Sequence, residues 1–426
     1  MLCFLLSILV CLSAAAAAPL DGLLARADLW TLTRDTFPKV PEAGEFGWTS
    51  SARDSARAAE GELTLLGLPV FESVLRFEGA TVREWMAAFY ARGDAGDLPK
   101  EKFELLLKAA AEAVSKHTGT KFTVRGKDLK SAVKAEGLQW QTPQARYLLE
   151  YSFTREVKTR DIPYRAEFIR LSITPPERSV GLLASAANMA RSRFSGVAHV
   201  QRDLVNGDVF LRDIPMVDQG DKGYCAVACA ERVLRYYGTP VDANELAQVA
   251  SSDAEAGTSA DAMMSALKKL GTRLRVRIRP VEEMEVRDWL ALIEDYNRAA
   301  KRGSRAPAVP DPGRMLDVGA VMGAMKPDLL REVRNKGDAA QRRLLRTVQT
   351  HVDQGIPVLW GVMLGMFPEP GVPQSGGGHM RLLTGYNVKK GEVLFSDSWG
   401  AGHELKRMPI ADAWTITTGM TTIEPL

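Results

Sequence analysis

Met216-Val-Asp-Gln219-Gly-Asp-Lys-Gly-Tyr-Cys225-Ala-Val-Ala-Cys229-Ala-Glu-Arg-Val-Leu-Arg-Tyr-Tyr-Gly238 is the stretch that decides how this chain is read. Ala226, Val227, Ala230, Val233, Leu234 and Tyr237 recur at three- and four-residue spacing, which predicts a helix opening at Cys225, with Gly238 as its stop. Gly220 and Gly223 let the chain bend sharply beforehand. A thiol at that mouth lies over unpaired backbone N–H groups and the positive end of the helix dipole. The place matters because a free thiol is only slightly ionised at neutral pH, and a nucleophilic cysteine needs such help to exist as thiolate.

Two downstream segments supply what a thiolate nucleophile lacks. In Gly376-Gly-Gly-His379-Met-Arg-Leu-Leu-Thr-Gly-Tyr-Asn387, three glycines allow close backbone approach and Met380 to Tyr386 reads as a buried strand. Val393-Leu-Phe-Ser-Asp397-Ser-Trp-Gly400 follows, with Glu392 to Ser396 as the next strand and Asn387-Val-Lys-Lys-Gly391 as the hairpin between them. His379 is then the candidate base and Asp397 its orienter, while Gln219, six positions before Cys225, offers a side-chain amide to a developing oxyanion.

At these residues the chain resembles the C39 and C39-like branch of papain-fold cysteine peptidases. Their nucleophile segment reads Gln, five residues, Cys, then a small-residue helix ending in Tyr-Tyr-Gly, with a counterpart even for Cys229. The Gly-His-apolar strand ending in Thr-Gly-Tyr is similar to the family's histidine motif, and Asp397-Ser-Trp-Gly resembles the Asn-Ser-Trp-Gly of papain itself. Gly257-Thr-Ser259 before an amphipathic helix and Leu270-Gly271 is a weaker likeness. The resemblance covers Asp213 to Leu426. It implies a papain-like α+β domain in which Cys225, His379, Asp397 and Gln219 perform catalysis without a metal or organic cofactor, on a peptide or protein substrate. Two departures stand out: Ala226 occupies a place where the family usually has glycine, and Val281 to Gln349 is much longer than the family's usual link. Long insertions are where lids and recognition surfaces live.

The residues also admit other readings. Cys225, Cys229, His379 and Asp397 are metal-ligand types, but Cys-x-x-x-Cys at a helix start with one distant His is a poor zinc pattern and leaves Gln219 without a purpose. A catalytically silent papain-like binding module has the same fold, and a transpeptidase or acyltransferase uses the same acyl-enzyme.

Leu2 to Leu12 is an apolar run too short to span a bilayer and Ser13 to Ala18 a small-residue tract, so residues 1–20 read as a signal peptide and the protein as secreted or periplasmic. Its n-region lacks Lys and Arg, and Pro19 argues against cleavage directly after Ala18. Beyond it no apolar run is long enough for stable membrane insertion. Loss of Cys3 and Cys11 leaves Cys225 and Cys229, one helical turn apart in poor geometry for a disulfide, with Cys229 read as a buried small hydrophobe. With 46% hydrophobic and 25% charged residues the composition is globular, and a formal charge of +3 gives no reason to expect nucleic acid. Arg273, Arg275, Arg277 and Arg279 alternate with apolar residues and read as the solvated, edge-guarding face of one strand.

Residues 21–200 read as a separate α+β domain with a mainly antiparallel sheet, and 201–426 as the peptidase-like domain with its insertion at 281–349. Within the first, Glu62 to Phe77, Lys121 to Arg125, Ala145 to Thr154 and Tyr164 to Ile173 are expected strands. Thr81 to Arg92, Pro99 to His117 and Ser179 to Arg193 are expected helices. His117 and His199 lack ligand-spaced neighbours and read as structural. In the insertion, Val281 to Ala300 and Pro327 to Gln354 read as helices around the loop Lys301 to Gly313, with Met315, Met322 and Met325 as core residues. The Pro- and Gly-rich loop Met366 to Gly378 is expected at the rim of the cleft. The first domain suits either a removable propeptide or a permanent docking module, and the permanent module is the preferred reading.

Overall fold

A computed structural model describes residues 18–59, 62–125, 135–155, 163–177, 194–220, 223–239, 241–250, 260–302, 306, 308–310, 316–374 and 376–426. Residues 1–17 of the leader segment, the Ser179–Arg193 helix, the Gly257–Ser259 motif and Met315 lie outside the described residues. The folded unit takes in Ala18 to Leu20, three residues of the expected leader: Ala18 and Pro19 pair with Leu63 and Thr64, and Leu20 is buried.

The first half builds one eight-stranded antiparallel sheet. In chain order its elements are β1 (Gly47–Trp48), β2 (Ser55–Ala58), β3 (Glu72–Glu78), β4 (Thr81–Ala91), helix α1 (Lys100–Thr118), β5 (Thr123–Arg125), β6 (Glu136–Gln141), β7 (Arg146–Thr154) and β8 (Arg165–Thr174). In space the strands run β1-β2-β3-β4-β8-β7-β6-β5. The buried face of α1, Phe103, Ala110 and Val114, packs into the same core as Tyr90, Trp140, Leu149 and Leu171.

Two expectations are corrected here. Thr81 to Arg92 is not a helix but the central strand β4, hydrogen-bonded to β3 and β8. Both of its faces are covered, so neighbours such as Trp85, Met86, Ala87, Ala88, Phe89 and Tyr90 are all buried and no polar alternation betrays the strand. Glu62 to Phe77 is not one strand either: Leu63–Leu65 and Leu68–Val70 form a hairpin before β3. The chain reverses at Leu66 and Gly67, which have φ of 54° and 75°, the left-handed pair that a two-residue hairpin requires. Strand β6 has no counterpart in the expectations.

The second half supplies β9 (Val200–Arg202), β10 (Asp208–Leu211), α2 (Cys225–Tyr236), α3 (Ala243–Ala250), α4 (Ala260–Leu274), β11 (Val276–Glu283), α5 (Val286–Lys301), α6 (Val318–Gly323), α7 (Pro327–Arg334), α8 (Ala339–Val352), β12 (Val358–Leu364), β13 (Gly377–Asn387), β14 (Glu392–Ser396), β15 (Lys406–Pro409), α9 (Ile410–Ile416) and β16 (Thr417–Pro425). Its antiparallel sheet is ordered β9-β10-β13-β12-β16-β11, and β14 pairs with β13 and β15. Alternation along the strands feeds two cores. Leu359, Leu382 and Ile423 meet Val227, Cys229 and Val233 of α2 and Leu267 of α4 on one face. Trp360, Val362, Leu383 and Phe395 meet Trp289, Tyr296, Leu330, Leu344 and Val348 on the other. The architecture is thus two α+β units, the second with an inserted helical block.

The insertion departs from expectation at both ends. Val281 to Glu283 still belong to β11, and α5 starts at Val286 behind a capping box of Glu285 and Asp288. Pro327 to Gln354 is two helices, broken between Asn335 and Asp338, where Gly337 has φ 70°. Met322 and Met325 are core residues as expected. The arginine row is not one strand face: Arg273 closes α4, Arg275 turns the chain, and Arg277 and Arg279 alone lie on β11. β11 ends the sheet order, pairing with β16 alone, and Arg279 meets Glu424 across that pair at 3.2 Å. His117 bonds Tyr147 at 3.1 Å and His199 bonds Asp213 at 3.0 Å, both structural roles.

Charged groups join the halves. Arg170 on β8 is 1% exposed and reaches Glu150 at 3.1 Å, Asp242 at 2.6 Å and Glu245 at 2.9 Å. Arg76 on β3 lies 3.8 Å from Glu231 of α2, and Arg57 on β2 lies 3.5 Å from Asp218.

Candidate active site

Helix α2 begins at Cys225, as its apolar spacing dictates, and ends before Gly238, whose φ of 74° is the left-handed stop. The helix is buried nearly all round. Its Arg232 is 1% exposed and donates to Pro215 O at 2.9 Å, Asp397 O at 2.7 Å and Ser396 Oγ at 2.6 Å, fastening the helix to the end of β14. Tyr224, just before the helix, packs its hydroxyl where a Cβ on Gly93 would lie 2.0 Å away, so the first domain grips the residue next to the thiol.

The loop ahead of α2 is fixed as tightly. Gln219 N donates to Ser398 O at 2.8 Å, and Ser398 Oγ donates to Gln219 Oε1 at 2.6 Å, which defines the acceptor end of the carboxamide. Gly220, with φ 60°, turns the chain on a hydrogen bond of 2.9 Å from its N–H to Asp218 Oδ1.

His379 sits near the start of β13 and is buried. Its Nε2 lies 3.1 Å from Asp397 Oδ1, and the indole of Trp399 stacks on the ring with centroids 4.2 Å apart and planes 3° from parallel. Nδ1 is buried and has no hydrogen-bond partner within bonding distance. It is the ring nitrogen that Asp397 leaves over. Burial pushes the Cys225 thiol up, but the influence of the His379 ring, with the backbone of Met380 and Ala226, outweighs it and holds the thiol below its ordinary value. Burial pushes His379 down, and Asp397 and Cys225 more than restore it, so the ring holds its proton above the usual histidine range. Burial raises Asp397, yet His379, Arg381 and Lys406 bring its carboxyl below the usual range. Each shift favours a thiolate–imidazolium pair. Cys229, fully buried one turn deeper, donates to Met380 O at 3.3 Å and has its thiol pushed up to about 12 by burial. Both cysteines are free.

Of the four residues picked from the sequence, His379 and Asp397 are in direct contact, Gln219 is bonded to Ser398, the residue after Asp397, and Cys225 opens the helix whose Arg232 is bonded to the Asp397 carbonyl. Three partners were missed. Arg381 donates from Nε to Asp397 Oδ1 at 2.8 Å, Lys406 approaches Asp397 Oδ2 at 3.7 Å, and Arg232 binds the Asp397 carbonyl. Arg381 did leave a signal, since a charge inside the apolar run Met380 to Tyr386 requires a buried counter-charge. Among the described residues, no three His, Cys, Asp or Glu side chains are arranged to hold a metal ion, and no helix is long and apolar enough to cross a membrane.

A cleft of about 560 Å³ opens beside Gly378 and Met380, the neighbours of His379. Its floor includes Gly361, Met363 and Met420, and Met284, Trp289 and Val318 of the insertion form one side.

Comparison with known proteins bears on the family of this half of the chain. The profile of the Peptidase C39 family matches residues 213–289, and that of the Peptidase C39 like family matches residues 305–421. The peptidase domain of Streptococcus ComA, a bi-functional ABC transporter involved in quorum sensing, is similar at 14% identity over 50% of this chain and 100% of that one, with a TM-score of 0.25. No curated protein matches in sequence. The two family profiles, 213–289 and 305–421, include Gln219 and Cys225 in the first and His379 with Asp397 in the second, and on that ground the second half of the chain carries a peptidase domain of the C39 and C39-like family.

Proposed function

We propose that the protein is an exported cysteine peptidase that hydrolyses peptide bonds through an acyl-enzyme on Cys225. The observation that carries this reading is the thiol at the mouth of α2, held below its ordinary value by a histidine that itself bonds Asp397. In the cycle, the Cys225 thiolate attacks the scissile carbonyl carbon, and the oxyanion is held by the Gln219 carboxamide and the backbone N–H of Cys225. His379, as imidazolium, gives its proton to the departing amine, leaving a thioester. The neutral ring then takes a proton from water, whose oxygen displaces the thiolate and releases the acid. Asp397 keeps the ring oriented throughout, with Nδ1 toward the sulfur.

The cleft beside His379 is the proposed seat of the peptide, with the insertion as one wall. Its flexible methionines Met264, Met284, Met363, Met380 and Met420 stand beside Lys268, Glu282 and Glu283, and this mixed lining favours extended peptides over bulk protein. The first domain acts as a permanent module, supported by the grip of Arg57 on Asp218 and of Gly93 on Tyr224, which brace the Gln219 loop from outside. The test is hydrolysis of a peptide library by purified protein, quenched in acid and analysed by mass spectrometry. Wild type should yield cleaved products and a transient adduct on the Cys225 peptide, and Cys225→Ala neither. Cleavage by the Cys225→Ala variant at the wild-type rate would end the reading.

A further inference from the structure

The sequence of the histidine strand holds one residue that the catalytic cycle does not use. Arg381, two positions after His379 and on the same face of β13, is 0% exposed. Its Nε bonds Asp397 Oδ1 at 2.8 Å, the oxygen that also faces His379 Nε2. Its two terminal nitrogens bond both oxygens of Glu369 at 3.2 and 2.8 Å, a two-pronged grip on the loop that leads into His379. The guanidinium lies 4.5 Å from the centre of the Phe395 ring. No rotation of so confined a side chain exchanges these partners for water.

We propose that Arg381 is a positioning residue of this site, which locks Asp397 and the Glu369 loop into one unit and offsets part of the charge that Asp397 presents to His379. The inference rests on the cysteine-peptidase reading given above. The charge count around the ring supports it. Asp397 and Glu369 supply two negative charges, Arg381 and Lys406 two positive ones beside them, Arg232 of α2 a third on the Asp397 carbonyl, and the remaining facing groups are Cys225 and Cys229 from α2 and His403 from the turn before β15. Without Arg381 the buried carboxylate, 3.1 Å from the ring, would favour the imidazolium more strongly. An arginine on the same oxygen relieves this while keeping the hydrogen bond. An uncharged asparagine in the Asn-Ser-Trp-Gly pattern and an arginine-bound aspartate in Asp397-Ser-Trp-Gly thus present the ring with similar electrostatic faces.

The test reads the ring rather than the fold. Iodoacetate is an anion, so it alkylates Cys225 fastest while His379 is an imidazolium, and the rate falls at high pH with a midpoint set by His379. Arg381→Met leaves Asp397 unbalanced and should move that midpoint up by about one pH unit, the scale of a close charge. Asp397→Asn leaves Arg381 unbalanced and should move it down by a similar amount. Arg381→Met/Asp397→Asn restores the balance and should return the midpoint to near the wild-type value. If Arg381→Met fails to fold, the double variant against Asp397→Asn still decides. Equal midpoints for those two overturn the proposal, since an arginine that merely fills space would alter rates and not midpoints. A wild-type protein that iodoacetate does not alkylate at Cys225 would instead overturn the peptidase reading beneath it.

Discussion

Each half of this molecule buries an arginine among carboxylates on an antiparallel sheet, but the surroundings differ. Arg170 faces Glu150, Asp242 and Glu245, with Arg125 on Glu150 at 2.9 Å, and two of those carboxylates come from the other domain. Arg381 stays within its own domain and shares Asp397 with a histidine. In the first cluster the acids outnumber the cations, and burial pushes Glu245 up to about 7. In the second the cations Arg381, Lys406 and Arg232 outnumber the acids Asp397 and Glu369, and Asp397 stays ionised below the usual range. One arrangement fastens two domains; the other, in the proposed mechanism, positions the orienter of a base. The comparison teaches that a buried arginine takes its role from its partners rather than from its depth.

The strongest test of that contrast is Arg170→Met. Removing one partner of a buried ion cluster costs about 3–5 kcal/mol, and chemical denaturation of the variant should show a loss of that size. Cys225 alkylation in the molecules that remain folded should be unchanged. A stable variant with slowed alkylation would mean that the first domain tunes the site as well as bracing it.

Gln219→Ala acts on the other side of the comparison. The loss of one oxyanion donor lowers the rate by about a hundredfold, with little change in substrate binding, to be read as separate effects on kcat and KM. Full activity would make the contact with Ser398 purely structural.

A pH prediction follows from the domain junction. Burial pushes Glu231 and Glu245 up to about 7, against about 4.5 in an unfolded chain. Both groups therefore bind protons more tightly in the folded state. The stability they contribute is fully present below the unfolded value and is lost as pH rises from there through about 7. Denaturation midpoints measured between those limits should fall with rising pH in wild type and flatten in Glu231→Gln/Glu245→Gln. An unchanged slope in the variant would place the titration elsewhere. The smallest effect belongs to the insertion: replacing Lys301 to Gly313 by a short linker should alter which peptides are cleaved while small-probe labelling of Cys225 survives. Identical peptides at identical rates would remove the insertion from the cleft.

The second domain was legible because its chemistry fixes residue types at fixed spacings. Cys225 had to open a helix, and the Asn387–Gly391 hairpin set Asp397 beside His379; the structure has both features, whereas the expected close approach at the glycines is absent, since a Cβ on Gly378 would meet nothing within 4 Å. The first domain was less legible where burial erased periodicity. Strand β4, covered on both faces, carries small and aromatic residues at helical spacing, and only its pairing with β3 and β8 overrides that local preference. The break at Gly337 was hidden by charged residues that suit either one long helix or two short ones. Arg381 and Arg232 were passed over for another reason: their partners, Asp397 and Glu369 for one and main-chain carbonyls for the other, are brought near only by the fold.

The most direct test of the central claim is to treat the purified protein with an iodoacetamide-type probe at neutral pH and map the modified residue by mass spectrometry. Cys225, at the helix mouth with its thiol held down by His379, should be modified rapidly, and Cys229, buried with its thiol pushed up to about 12, should stay unmodified in the folded protein. Equal labelling of the two cysteines, or modification of Cys229 ahead of Cys225, would contradict the account.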